Sequence, residues 1–266
     1  MLRSLVATNC GNWNHTHHLV WTSNTTSAYS VKLMSRRQRQ MGMRGVWLML
    51  LGLAIAGLAM VLGFVVAPGA QGFEGDSYRI IFWHVPAAWT SFLAFGMLFV
   101  GSLAWFWKRS EWGWTLGGVA AELSLLFGLC VVTSGPIWGA AEWGVPWDWT
   151  DARLNTYGVL SAIALFLVLS RRSQPDTPEF RDVFSGIGLF GFLLVPITYM
   201  ATRWWQERHP GPVIGGGDGS GVDSIILQIW LLAFLGMTIL LVGQAMVSWE
   251  VQKCEQRLAE LQQRMD

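Results

Sequence analysis

Six stretches of this chain are long and apolar enough to cross a bilayer, and together they hold a single Asp, Glu, Lys or Arg. They occupy 46–66, 85–107, 115–135, 154–170, 183–202 and 224–249, and the lone charged residue is Glu122 in the third. A hydrocarbon core of about 30 Å needs about 20 apolar residues in helical form. In lipid each backbone amide must also find its partner internally, which helices achieve within one segment. The sequence therefore predicts an all-α integral membrane bundle of six transmembrane helices. Composition agrees, with 13% of residues charged against about 25% in soluble domains. A formal net charge of +1 speaks against nucleic acid as a partner, which selects a basic patch. Cys10, Cys130 and Cys254 are too few and too scattered for a disulfide framework or a zinc site.

Six spans put both termini on one side, and Lys and Arg decide which side. Arg3, Lys32, Arg36, Arg37, Arg39, Arg44, Lys108, Arg109, Arg171, Arg172, Arg181, Lys253, Arg257 and Arg264 fall on the termini's side. Arg79, Arg153, Arg203 and Arg208 fall on the other. The expectation is cytoplasmic termini in an inner (cytoplasmic) membrane. Residues 1–45 read as a disordered polar and basic segment, within which Met34 and Met41 suit as alternative starts and His15, His17 and His18 suit weak metal binding or a mobile tail. The membrane domain spans 46–249. Residues 250–266 read as an amphipathic helical tail, where Val251, Cys254, Leu258, Leu261 and Met265 step by three and four. That tail is either the last helix running on into the cytoplasm or a docking helix for a cytoplasmic subunit.

Chemistry concentrates on the outer side. His84, at the mouth of the second span, and His209, just beyond the fifth, return to the same membrane face. Neutral imidazole is the common axial ligand of haem iron, so one iron held between the two is one reading; two amphipathic rings resting at headgroup level is the other. Between them lies a loop, 136–153, with Trp138, Trp143, Trp147 and Trp149 interleaved with Gly and Pro. That spacing is too irregular for a helix stripe. It suits either interfacial anchoring or a shelf of aromatic faces for a flat apolar ligand such as a porphyrin. Propionates of such a ligand would call for Arg79, Arg153, Arg203 or Arg208. Glu122 has a proton role, a subunit contact, or a neutral or hydrogen-bonded carboxyl as its readings.

The order of these motifs resembles the CcmC family of haem exporter proteins C, used in cytochrome c maturation, over most of 42–246. The resemblance rests on the His-Val-Pro-Ala-Ala run from His84, the Trp-rich loop, and the Trp204-Trp205 pair followed by His209. The family's loop, the WWD domain, reads approximately W-G-x-x-x-W-G-x-x-W-x-W-D-x-R-L-T. Here Trp138-Gly139, Trp143-Gly144, Trp147, Trp149, Asp151, Arg153, Leu154 and Thr156 match it. Thr150 and Asn155 are extra, and one added helical residue rotates the residues after it by about 100°, so Asp148 shares candidacy with Asp151. The resemblance implies His84 and His209 as axial ligands of haem b, with Trp138, Trp143, Trp147, Trp149, Asp151, Arg153 and Arg79 around it, facing the periplasm or exterior. It further implies a non-enzymatic subunit that works with an ABC-type ATPase and a second membrane subunit and delivers haem to a membrane-anchored haem chaperone. A b-type electron-transfer protein would carry histidines deep in the bundle. A cofactor-free transporter tends to show internal repeats and broken helices. Neither pattern is visible.

Overall fold

The computed structural model describes residues 25–69, 75–205 and 223–263. Six long helices account for most of them: α1 Thr25–Val65, α2 His84–Lys108, α3 Glu111–Trp143, α4 Ala152–Ser173, α5 Pro178–Trp204 and α6 Ser224–Gln263. A short 3-10 helix, Ser77–Phe82, leads into α2. Each long helix carries a stretch apolar enough to cross a membrane, in the order read from the sequence.

The helix ends follow local chemistry. Ser110, Asp151 and Thr177 accept hydrogen bonds from Gly113 N, Leu154 N and Phe180 N at 3.3, 2.9 and 3.2 Å, capping α3, α4 and α5. Pro178 occupies the first turn of α5, where its missing N–H costs nothing. Gly144 stops α3 at φ 72°, a conformation glycine adopts freely. Two boundaries differ from the sequence reading. α1 starts at Thr25, inside the segment read as disordered, through a run of Arg, Gln and Met that are good helix formers. α3 runs through Pro136 to Trp143, inside the segment read as loop, because a proline costs a membrane helix one backbone bond that neighbouring groups can offset. α6 continues unbroken past Trp249, the end of the span read from the sequence, to Gln263.

α3 is the most buried of the six. On one side it joins α2, α4 and α5 around Phe95, Leu98, Leu160, Leu167 and Phe184. On the other, Val119, Leu123 and Phe127 meet Ala56 of α1 and Met237 and Leu241 of α6. α1 and α6 approach backbone to backbone. A Cβ on Gly52 would lie 2.4 Å from Leu240 N, and one on Gly236 would lie 2.5 Å from Ala56 N. Gly45 and Gly243 repeat the contact one heptad away. The outward faces carry Leu53, Val61, Leu93, Phe166, Leu193 and Leu235, all about half exposed, as lipid contact requires.

The bundle end away from His84 is laced by charge. Asp182 accepts from Arg109 and from Trp105 Nε1, and Arg181 bridges Glu111 and Asp176. Arg171 sits 3.7 Å from the Trp114 ring centroid and donates to the Trp114 carbonyl and to buried Gln252 of α6. Glu122 pairs with Arg172 of α4 at 3.5 Å.

Candidate functional site

His84 opens α2 as its first residue, half-buried. Its ring lies over Gly135 of α3, where a Cβ would stand 3.2 Å from His84 Cε1. His84 Nδ1 is 2.9 Å from Ser134 Oγ. Trp138 follows Ser134 by four residues, so it stands one turn further along nearly the same face of α3, about 6 Å up the axis. Trp138 and Trp143 meet edge to face at 4.7 Å.

Beyond Gly144 the chain folds back, bringing the Val145 carbonyl within 3.0 Å of where a Gly139 Cβ would be. The benzo edge of Trp147 then rests on α4, where a Cβ on Gly158 would meet Cη2 and Cζ2 of its ring at 3.2 and 3.3 Å. Trp147 Nε1 donates to Asn155 Oδ1 at 3.2 Å, while Asn155 Nδ2 donates to the Trp149 and Asp151 carbonyls at 2.8 Å each. Asn155, which the family pattern marks as an extra residue, thus pins the Trp147 indole and the backbone at Trp149. Trp147 and Trp149 are tilted by 56° at 5.7 Å, and Trp149 is 82% exposed. The four indoles are two angled pairs rather than one flat shelf.

The charged candidates divide by what holds them. Asp151 Oδ1 caps α4, and Asp148 Oδ1 accepts from Thr150 N and Oγ1 at 2.9 and 2.7 Å. The extra Thr150 therefore closes a local turn around Asp148. Arg79 is bound to the end of α1: it donates to the Gly63 and Ala67 carbonyls and pairs with Asp76 at 2.9 Å. Arg153 makes no hydrogen bond or ion pair among the described residues, and its electrostatic neighbours are Asp151, Tyr157 and Tyr199. Ser77 ties the 3-10 helix to Glu142 near the end of α3, so the approach to His84 and the Trp138–Trp143 pair form one unit. His209 and Arg208 lie outside the described residues, as do His15, His17 and His18. Trp89 of α2 touches Tyr199 of α5 at 5.6 Å, so α5 reaches its last residues at the level of α2's first. The segment that carries His209 leaves from that level, at Trp205.

Ser134 and Gly158 escaped the sequence reading, and Asn155 entered it only as an extra residue of the family pattern. Small residues in an apolar run look like packing, and only the partner 50 positions away shows what Ser134 faces. Asp151 is a point where capping and ligand roles separate. Asp151→Ala should cost about 1 kcal/mol through the lost cap, read as a lower melting temperature. Asp151→Ser should retain most of it, whereas an unchanged melting temperature in the alanine variant would exclude the cap as its contribution.

Six apolar helices with a histidine and a cluster of indoles at one bundle end define a multi-pass membrane protein with an aromatic, imidazole-bearing end. Among the described residues there is no group of three or more His, Cys, Asp or Glu that could hold a bare metal ion. The family described as Heme exporter protein C (CcmC) matches residues 29–264, and the chain belongs to it. A ccmC-like mitochondrial protein of cytochrome c biosynthesis from Marchantia polymorpha is 30% identical over 67% of this chain and 75% of its own length. Heme exporter protein C of Bradyrhizobium diazoefficiens is 28% identical over 71% and 72%, and that of Rhodobacter capsulatus 27% over 77% and 84%. The chain is thus a non-enzymatic membrane component of haem export in cytochrome c biogenesis.

Proposed function

We infer that this chain holds haem at the bundle end formed by the start of α2 and the end of α3, and presents it there for delivery. The observation that carries the reading is His84, half-buried over Gly135, with Trp138 one turn beyond it on the same helix face. His84 supplies one axial ligand, and His209 supplies the other from the segment that leaves α5 at the same level. The angled indole pairs wall the porphyrin on its faces and edge, burying apolar area in rings that lose little entropy. Arg153, with no ion pair among the described residues, takes a propionate through a charge-assisted bond. Arg79 is already committed to α1 and contributes position more than charge. The 14-to-4 partition of Lys and Arg read from the sequence turns this end outward, away from the cytoplasm.

These residues fit haem as cargo. The protein's part is to bind the ring, exclude water from the iron's faces and release both imidazoles when an acceptor docks. A membrane-anchored haem chaperone is the acceptor, and an ABC-type ATPase with a second membrane subunit completes the assembly at the opposite end. An absorption spectrum of the purified protein supplied with haem tests the reading. A split bis-histidine band is expected, lost in His84→Ala and in His209→Ala and retained in His15→Ala. A colourless preparation after haem addition would refute it.

A further inference from the structure

Thr133, Ser134, Gly135 and Pro136 follow one another in α3, and of these Ser134 and Gly135 face the His84 ring. Pro136 has no N–H to offer the Val132 carbonyl one turn back. Around that gap the hydroxyls bond backwards: Thr133 Oγ1 donates to the Leu129 carbonyl and Ser134 Oγ to the Cys130 carbonyl, each at 2.6 Å.

The second of these bonds decides the chemistry of His84. A serine hydroxyl has one proton and two lone pairs. Ser134 gives its proton to Cys130, so it meets His84 Nδ1, 2.9 Å away, with a lone pair. Nδ1 must then be the donor, and in a neutral ring carrying Nδ1–H the basic lone pair is on Nε2. We propose that Ser134 is a positioning residue that holds His84 in the Nδ1–H tautomer, so that Nε2 is the nitrogen offered to iron. Gly135 completes the seat, because a side chain there would press on Cε1 and push the ring off the hydroxyl. The Nδ1–H bond also strengthens the imidazole as a donor, which favours ferric over ferrous iron. This rests on the reading of His84 as a haem ligand and adds which nitrogen binds and what sets it.

The test uses full-length protein loaded with haem, with haem transfer to an acceptor protein and spectroelectrochemistry as readouts. Ser134→Ala should keep a bis-histidine spectrum but bind ferric haem about 10- to 100-fold more weakly, the usual cost of removing an outer-shell partner. A tenfold loss confined to the ferric state raises the midpoint potential by about 59 mV. Ser134→Thr should restore both values, since its hydroxyl can bond backwards in the same way. Ser134→Ala with unaltered affinity and potential would overturn the proposal.

A second arm does not depend on how Ser134 variants fold. In His84→Gly, imidazole can donate an N–H to Ser134, whereas 1-methylimidazole cannot. Imidazole should restore the spectrum about tenfold better, and equal restoration by the two ligands would overturn the proposal. Retention of haem with an unaltered spectrum in His84→Ala is a separate failure. It would remove the ligand assignment itself, whatever residue 134 does.

Discussion

Gly236→Leu and Gly52→Leu are each expected to abolish the pairing of α1 with α6. A Cβ at either position meets the backbone of the facing helix at 2.5 or 2.4 Å, and a backbone cannot turn aside as a flexible side chain can. Overpacking a core costs about 1–3 kcal/mol where side chains adjust; here the helices must separate, so the loss should exceed that range. The damage would spread, because Ala56, Met237 and Leu241 also form the wall that α3 leans on. Thermal melting in detergent and protease sensitivity of the chain would report it. Gly57 is the matched control: it lies on the same helix with nothing within 4 Å of its absent Cβ. Gly57→Ala should melt at or above the wild-type temperature, as glycine in a helix is worth about 1 kcal/mol less than alanine. Equal behaviour of the Gly57 and Gly236 variants would show that close approach is not what holds α1 to α6.

Arg153→Ala and Arg79→Ala should fail in opposite ways. Losing a charge-assisted hydrogen bond costs about 1.5–3 kcal/mol, so Arg153→Ala should weaken haem binding roughly ten- to hundredfold. Its melting temperature without haem should hold, since no described group loses a hydrogen bond or an ion pair. Arg79→Ala instead leaves the Gly63 and Ala67 carbonyls without their guanidinium. Its melting temperature should fall, by the equivalent of about 1–3 kcal/mol, with a smaller change in haem affinity. Titration of each variant with haem, beside its melting curve without haem, separates the two roles. Equal haem loss in both, with no change in melting, would assign both arginines to the ligand.

The six helices were legible because a span is a one-dimensional property: length, apolarity and the absence of charge need no partner. Their ends were less so. Pro136 and Gly139 inside 136–143 look like loop in isolation, and only the tertiary setting of α3 keeps them helical. The roles of Arg79 and Asn155 were hidden for a different reason. Each depends on carbonyls or rings brought near by the fold, and Arg79 reaches back 16 positions to Gly63. His84 and the tryptophans were legible as types of residue suited to haem, yet the angles between the indoles follow from Gly144 and Gly158, which composition does not rank.

The Glu122–Arg172 pair bears on how the chain enters the membrane at all. A carboxylate within the apolar stretch of a lone helix is costly to insert. Arg172 lies at the far end of α4, and the fold returns it to Glu122 across the α3–α4 hairpin. Once both helices are present, two charges become one ion pair with much less net field. α3 and α4 are therefore more readily taken into lipid as a hairpin than one at a time. The same hairpin carries the Trp-rich turn at its tip, so the step that places the two helices also brings that turn to a membrane surface.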